Sequence, residues 1–205
     1  AWIIATAQQR LTQDDPSAAL NAVSLFKLQA RFPIPIDLEA SDIRQICYER
    51  LLTKSVEGNA RLEKFFDANG AALQHHTKLG GTRLYSGDLD RESFRKLYPF
   101  LPQHFGILLE MLSCLAKSKR GDYSLRSAIK IIQDVLVDPN RERPDRPVLA
   151  DAPVGTLATV DIFYDTLRHD IERSDFKHVT VAVRKAEDSF GTDSFEAKVA
   201  RAVAA

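Results

Sequence analysis

The sequence has little of several residue types whose abundance would define its class. It contains two cysteines, one methionine and one tryptophan in 205 residues. Cys47 and Cys114 are far apart, and both lie in apolar helical patterns, which indicates core thiols rather than a disulfide or a metal pair. Such sparing use of cysteine suits a reducing compartment, so we expect the protein to be cytoplasmic.

Net charge and long apolar runs are also missing. Lys and Arg together number 28, and Asp and Glu together number 28. No global basic field therefore exists, and nucleic-acid binding would need a local patch. The longest apolar stretches fall far short of the roughly 20 residues that a membrane span needs, so we expect no membrane partner. The hydrophobic fraction of 44% is still enough for a core.

The first forty residues have the pattern of a sheet with one helix. An apolar run at 1–5 leads into a polar tip at 6–10, which is typical of a strand buried on both faces. A helix over about 17–30 and a short edge strand over 34–38 are predicted to follow. A buried strand needs neighbours for its backbone groups. We therefore expect this chain to be the C-terminal piece of a larger α/β protein.

The pattern after residue 40 is almost wholly helical. Ser41 is the predicted N-cap of the first of these helices. A rigid aromatic connector, Tyr98–Pro102, precedes a helix over about 103–116 that is apolar nearly all round and should lie at the centre of the core. A clean amphipathic stripe then runs from Leu125 to Leu136.

Three further helices are predicted near the C-terminus. The first carries an apolar face from Phe163 to Ile171, and the second includes the β-branched stretch Val179–Val183, whose longer period is helical. Thr192 or Asp193 is the predicted cap of the last helix. That helix carries three apolar residues at four-residue spacing: Phe195, Val199 and Val203.

The predicted fold class is mainly α. One or two strands form the C-terminal end of an α/β core, and an elaborated helical subdomain and further helices follow. The predicted segments are the end of the core at 1–40, the helical subdomain at 41–138, a linker at 139–158 that is rich in proline and charge, and a C-terminal helical segment at 159–205.

Two polar residues near the end of the first strand are candidates for chemistry. Thr6 lies at the carboxyl end of the strand, which is the edge where open α/β sheets bind ligands. Thr6, or Gln8 beyond it, could hydrogen-bond a phosphate oxygen or orient a water molecule. The alternative is an ordinary polar residue at the end of a strand.

Two arginines are further candidates. Arg31 lies at the end of the predicted 17–30 helix, from which a guanidinium can reach a phosphate across an interface; the alternative is a cation that complements the helix dipole. Arg126 follows Ser124, a predicted N-cap, and so lies in a first helical turn. A cation there is repelled by the positive end of the helix dipole, which destabilises the helix by roughly a few tenths of a kcal/mol. An anion bound at this point would be attracted by both the guanidinium and the helix dipole. The alternative is a pair with a nearby carboxylate.

Other motifs are weak. The basic loop 117–120 is a candidate contact for nucleic acid. His75 and His76 point about 100° apart on a helix, so they cannot share one metal. The sequence contains no G-x-x-x-x-G-K-[ST] motif, no apolar strand that ends in Asp-Glu, no C-x-x-C and no triad pattern.

Taken in order, these elements resemble the back half of an AAA+ ATPase. Over about 1–138 the chain contains, in this order, a strand with a polar tip, a helix that ends in Arg-Phe, a short strand and a helical lid. A later helix of this lid begins Ser-Leu-Arg-Ser-Ala. The resemblance implies that Thr6, or Gln8, is sensor 1, that Arg31 is the arginine finger, and that Arg126 is sensor 2. The stretch 57–95 is longer than a compact lid needs, which indicates an elaborated lid or an insertion.

More narrowly, the chain resembles the large P-loop ATPases of bacteriophage-exclusion (BREX) systems, of the BrxC and PglY kind. The segments that carry this resemblance are 31–36, 98–102, 125–129 and 153–157. It implies ATP with Mg as the cofactor of the parent protein and none for this fragment alone. The implied partners are the upstream P-loop region, other copies in a homo-oligomer reached by Arg31, and DNA or other defence proteins.

Three functions are compatible with these patterns. The first is a nucleotide-sensing and lid fragment of an AAA+-type ATPase, which does not hydrolyse ATP alone because the phosphate cradle lies upstream. The alternative is a helical module that binds DNA or a partner protein through the 117–120 loop and the C-terminal helices. The third is a purely structural domain.

Overall fold

A computed structural model describes Arg31 and residues 42–81, 89–118, 125–137 and 148–205. The chain divides into two compact units, Ala1–Glu39 and Ala40–Ala205. Arg31 is helical, and the remaining described residues belong to the second unit. These ranges contain helices and no strand, so the prediction of a mainly α chain is confirmed there. The two predicted strands lie outside the described residues.

The second unit contains eight described α-helices and one short 3-10 turn, Leu149–Asp151. The α-helices are α1 (Ile43–Arg50), α2 (Val56–Thr77), α3 (Arg91–Leu97), α4 (Pro102–Ser118), α5 (Leu125–Val137), α6 (Val160–Glu172), α7 (Lys177–Phe190) and α8 (Phe195–Ala204).

Polar side chains start several of these helices. Ser55 accepts a hydrogen bond from the Gly58 N–H at 3.0 Å at the start of α2, and Asp90 accepts one from the Ser93 N–H at 2.7 Å at the start of α3. Each satisfies a backbone donor that has no partner within its helix. The start of α1 was predicted one residue too early, because the N-cap is Asp42 rather than Ser41.

The cap predicted for α8 was also wrong. Ser194, rather than Thr192 or Asp193, is the N-cap, because its extended backbone brings Oγ to 3.1 Å from the Ala197 N–H. The helix therefore begins at Phe195. The β-branched stretch in α7 is helical, as the longer period predicted.

The main core surrounds α4, which is buried on most of its faces as the sequence predicted. α1, α5 and α6 all contact α4. The ring of Phe100, in the connector before α4, stacks on Phe163 of α6 with centroids 6.3 Å apart. This contact joins the middle of the second unit to its C-terminal helices.

A second, smaller core lies between α2 and α3. Its buried members are Leu62, Leu89, Phe94 and Leu101. Phe94 lies 6.2 Å from the ring of Phe65 and 5.2 Å from that of Phe66. These aromatic contacts hold the long helix α2 against α3.

The later part of the predicted linker is packed against the connector before α4. The Gly155 N–H donates to Oη of Tyr98 at 2.9 Å, and the Ala158 N–H donates to the carbonyl of Pro99 at 2.9 Å. Ala158 is buried. Residues 139–147 of the same segment lie outside the described residues, so the prediction of a linker there stays a prediction.

Candidate functional site

Arg126 is the candidate site residue whose surroundings are best described. It is the second residue of α5, in the first turn as the sequence predicted, and it is exposed. α5 has no acidic residue in its first turn. In the part of the chain that the structure describes, Arg126 makes no hydrogen bond or ion pair. Its charge therefore opposes the helix dipole, and no residue in the described ranges compensates for it. Ser124, the predicted N-cap, lies outside the described residues.

The rest of α5 is firmly anchored. Ala128 and Ile132 are fully buried, and Ile131 and Val135 are nearly so. The helix contacts α1, α4, α6 and the 3-10 turn. Rotation of α5 about its axis would expose this apolar face, so the backbone that carries Arg126 is held in a fixed orientation.

The outer face of α5 carries an ordinary surface ion pair. Nζ of Lys130 lies 3.7 Å from Oδ2 of Asp134, one helical turn away. Lys130 is exposed. The two cations of α5 thus differ, because Lys130 has a carboxylate partner on its own helix and Arg126 has none in the described residues.

The described structure does not test whether the other predicted site residues lie near Arg126. Arg31 is helical and exposed and belongs to the first compact unit. Thr6 and Gln8 lie outside the described residues. In the basic loop, Lys117 is exposed at the end of α4, and the two residues at 119–120 lie outside the described ranges.

Metal-ligating side chains do not cluster in the part of the chain that the structure describes. No group of three or more His, Cys, Asp or Glu residues there could hold a metal ion. His75 and His76 are both exposed in the last turn of α2, with ring centroids 5.0 Å apart.

A buried charge cluster that the sequence patterns did not predict joins α6, α7 and α8. Arg201 of α8 is 0% exposed. Its guanidinium donates to Oε1 of Glu187 at 2.7 Å and to the carbonyl of Thr192 at 3.0 Å, and Nε lies 3.6 Å from Oδ1 of Asp165. Arg168 contacts the other oxygen of Glu187 at 3.2 Å. Buried charges of this kind require paired partners.

The helix that carries Arg201, α8, also exposes apolar side chains to solvent. Phe195, Val199 and Val203 are 76%, 43% and 82% exposed, and Phe190, at the end of α7, is 61% exposed. We call these four residues the apolar stripe. The sequence signal that could have revealed this orientation is Ala197, whose small side chain shares a face with Arg201 and allows close approach to the neighbouring helices.

Burial changes the acid–base chemistry of several side chains. It lowers the pKa of His104 to about 4, and Nδ1 of this residue accepts the Leu101 N–H at 3.2 Å. Burial raises the pKa of the Cys47 thiol to about 11 and that of Tyr164 to about 12. Burial, assisted by the charge of Arg95, lowers the pKa of Lys54 to about 8. The thiol of Cys47 is therefore unreactive near neutral pH.

Within the described ranges, no helix is both long enough and apolar enough to cross a membrane. No protein-family model matches the chain, and no solved structure matches it.

Proposed function

We propose that this chain is the nucleotide-sensing and lid part of a cytoplasmic AAA+-type ATPase that resembles the BREX phage-defence ATPases. The observation that carries the proposal is Arg126. It is an exposed guanidinium in the first turn of an anchored helix, with no partner among the described residues. That placement costs energy unless an anion is present.

The arrangement at α5 suits a phosphate. The N-terminus of a helix and a guanidinium both favour negative charge, and in α5 they occur within one turn. In the proposed ATPase, Arg126 contacts the γ-phosphate of ATP. Because α5 is packed against α1, α4 and α6, loss of the γ-phosphate would change the angle of the whole lid rather than of one side chain.

The remaining parts of the proposed ATP site are assigned by the resemblance. Thr6, or Gln8, helps to position the attacking water, and Arg31 reaches into the site of a neighbouring copy in a homo-oligomer. Neutralisation of the developing charge by such an arginine lowers the barrier by about 3 kcal/mol or more. The P-loop and the ligands of Mg belong to the upstream region of the parent, so the fragment alone does not hydrolyse ATP.

A second function, a helical interaction module, is favoured by the apolar stripe. Four large apolar side chains are exposed on α7 and α8, three of them at four-residue spacing on one face of α8, and exposed apolar surface of this kind commonly marks a protein-binding site. In this function the C-terminal helices bind another protein, such as a further defence protein, without nucleotide chemistry. DNA binding through the 117–120 loop belongs to the same class.

The test is mutagenesis in the longer protein that carries this chain. We expect Arg126→Ala and Arg31→Ala each to lower kcat for ATP hydrolysis by at least about tenfold, because each removes a charge from the phosphate. Lys130→Ala is the matched control, since it removes an exposed cation from the same helix as Arg126 and should leave kcat unchanged.

Two outcomes separate the candidate functions. An unchanged kcat in both arginine variants would contradict the roles proposed for Arg31 and Arg126. The interaction module would be favoured by two results together. The unmodified longer protein would show no ATPase activity, and it would capture a partner protein that the Phe195→Ser variant does not bind. Binding of DNA that weakens steeply with salt would indicate the nucleic-acid form of that module.

A further inference from the structure

Helix α8 exposes its large apolar side chains and buries its arginine, the reverse of an ordinary surface helix. Ala197 and Arg201 are 0% exposed and lie on the face that packs on α6 and α7. Phe195, Val199 and Val203 lie on the opposite side, because a helix turns by about 100° per residue, and all three are exposed. The helices that hold α8 therefore lie behind it, and its outer face is open to another molecule.

Opposite charges border the outer face of α8. Glu196 and Lys198 are both exposed, and the helical turn places them about 80° to either side of a line midway between Phe195 and Val199. Neither charge has an ion-pair partner in the part of the chain that the structure describes. One flank of the outer face is thus acidic, and the other is basic.

This order of charges suits a second copy of the same helix. When two identical helices pack in parallel about a two-fold axis, each flank of one helix lies beside the opposite flank of the other. Glu196 of each copy then lies beside Lys198 of the other copy, with the Cα atoms offset by about 3 Å along the axis. An antiparallel pair brings like flanks together, which places Glu196 beside Glu196 and Lys198 beside Lys198. The charges therefore favour the parallel pair.

The apolar residues of the outer face fit the same parallel pair. Phe195, Val199 and Ala202 are separated by four and then three residues, which is the spacing of the seam between paired helices in a coiled coil. Ala202 is small and exposed, so the two backbones can approach closely there. Val203 adds apolar surface beside the seam.

We propose that α8 forms a parallel, two-fold symmetric contact with α8 of a second copy of this chain. The inference rests on the second function proposed above, in which the apolar stripe binds a protein, and it does not depend on an ATP site at Arg126. Because α8 has only ten residues, the contact is smaller than the roughly 1,200 Å² of a stable interface. We expect a dissociation constant between about 10 µM and 1 mM.

The test is sedimentation equilibrium of the full 205-residue chain at concentrations that span this range. We expect the average mass to rise with concentration from that of a monomer toward that of a dimer. Phe195→Ser should weaken the association at least about tenfold, because it removes the largest apolar side chain of the seam. Val56→Ser, which changes a side chain that is 88% exposed on α2, is the matched control and should have no effect. A monomer at every concentration, or equal association of the two variants, would overturn the proposal.

Exchange of charges tests the ion pairs. Glu196→Lys and Lys198→Glu should each weaken the association severalfold, because each places like charges side by side. The double variant should regain the affinity of the unmodified chain, since it exchanges the two flanks and restores opposite charges. A double variant that associates no better than the single variants would contradict the proposal.

A cysteine at position 202 tests the direction of the pair. In a parallel pair in register, the two Cα atoms at this position lie near the range of about 4.4–6.8 Å that a disulfide spans. An antiparallel pair centred on Val199 separates them by about 9 Å along the axis. We expect Ala202→Cys to form a disulfide-linked dimer under mild oxidation, and Lys64→Cys, at an exposed position on α2, to form none beyond the level of the unmodified chain. Equal cross-linking of the two variants would rule out the parallel arrangement.

The outcomes also separate this inference from the interaction module. If the chain stays monomeric but captures a different protein that Phe195→Ser does not bind, the module is supported and the second copy is excluded as its partner. If the chain neither associates nor captures another protein, both proposals fail.

Discussion

His104 illustrates at the residue scale how strongly burial alone changes a side chain. It is almost wholly enclosed and packs edge-on against the rings of Phe100 and Phe163. Its Nδ1 accepts the Leu101 N–H, so the neutral ring is the form that fits. No charged partner in the described part of the chain compensates for protonation, and burial lowers its pKa from 6.5 to about 4.

This burial predicts a loss of stability in acid. The unfolded chain binds a proton at His104 below about pH 6.5, and the folded chain does so only near pH 4. Stability is therefore fully present above pH 6.5 and falls as the pH drops through this window, by up to about 3 kcal/mol. Urea unfolding at pH 7 and pH 4.5 measures the change.

His104→Asn keeps a hydrogen-bond acceptor and removes the titration. We expect this variant to lose less stability between the two pH values than the unmodified chain, and His75→Asn, at an exposed position, to behave like the unmodified chain. An unchanged acid dependence in His104→Asn would contradict the assignment.

Gly155 carries a second prediction at this scale. Its φ of +106° is one that residues with a side chain rarely adopt, and an added Cβ would lie 2.9 Å from the ring of Phe65. Gly191 also has a positive φ, of +92°, but open space around it. Gly155→Ala combines backbone strain with a clash, whereas Gly191→Ala has strain alone.

We expect Gly155→Ala to destabilise the fold by about 1 kcal/mol or more beyond Gly191→Ala. The free energies of unfolding of the two variants in urea give the difference. Equal losses would mean that the Phe65 ring moves aside without cost.

At the scale of the elements, α8 is held to the fold by a buried charge cluster as well as by the buried Ala197. Arg201 is enclosed between α6 and α7 and contacts Glu187 and Asp165. Arg201→Ala would remove the buried cation that contacts Asp165 and Oε1 of Glu187, although Arg168 still contacts the other oxygen of Glu187, and we expect a loss of about 3 kcal/mol. Thermal or urea unfolding measures it.

Lys198→Ala is the matched control on the same helix. Lys198 is exposed, and its removal should change stability by no more than about 0.5 kcal/mol. A similarly small effect of Arg201→Ala would show that the carboxylates are relaxed or solvated once the cation is gone.

The helices could be predicted to different extents. α4, α5 and α6 follow from the spacing of their apolar residues, because those residues face the core. α8 has the same kind of spacing, with Phe195, Val199 and Val203 four residues apart, yet these side chains face solvent. Periodicity identifies a helix and its apolar face, but it does not say whether the core or another surface covers that face.

For the whole molecule, the candidate site was predictable only where it depends on local structure. The place of Arg126 in the first turn of a helix follows from the residues around it. The roles proposed for Thr6, Gln8 and Arg31 depend on contacts with the rest of an ATP site, which local patterns do not encode. Those roles stay predictions. The buried cluster around Arg201 was missed because charged residues are ordinarily assigned to the surface.

The packing of residues 155–158 onto the connector before α4 has a consequence for the order of folding. The Tyr98–Gly155 hydrogen bond joins residues 57 positions apart in the chain, and the Ala158–Pro99 bond closes a loop of similar length. The contacts of α7 with α6 and α8 close only short loops. Loop closure costs more entropy as the loop lengthens. The C-terminal helices can therefore assemble early, and the joining of 155–158 to 98–99 completes the unit late.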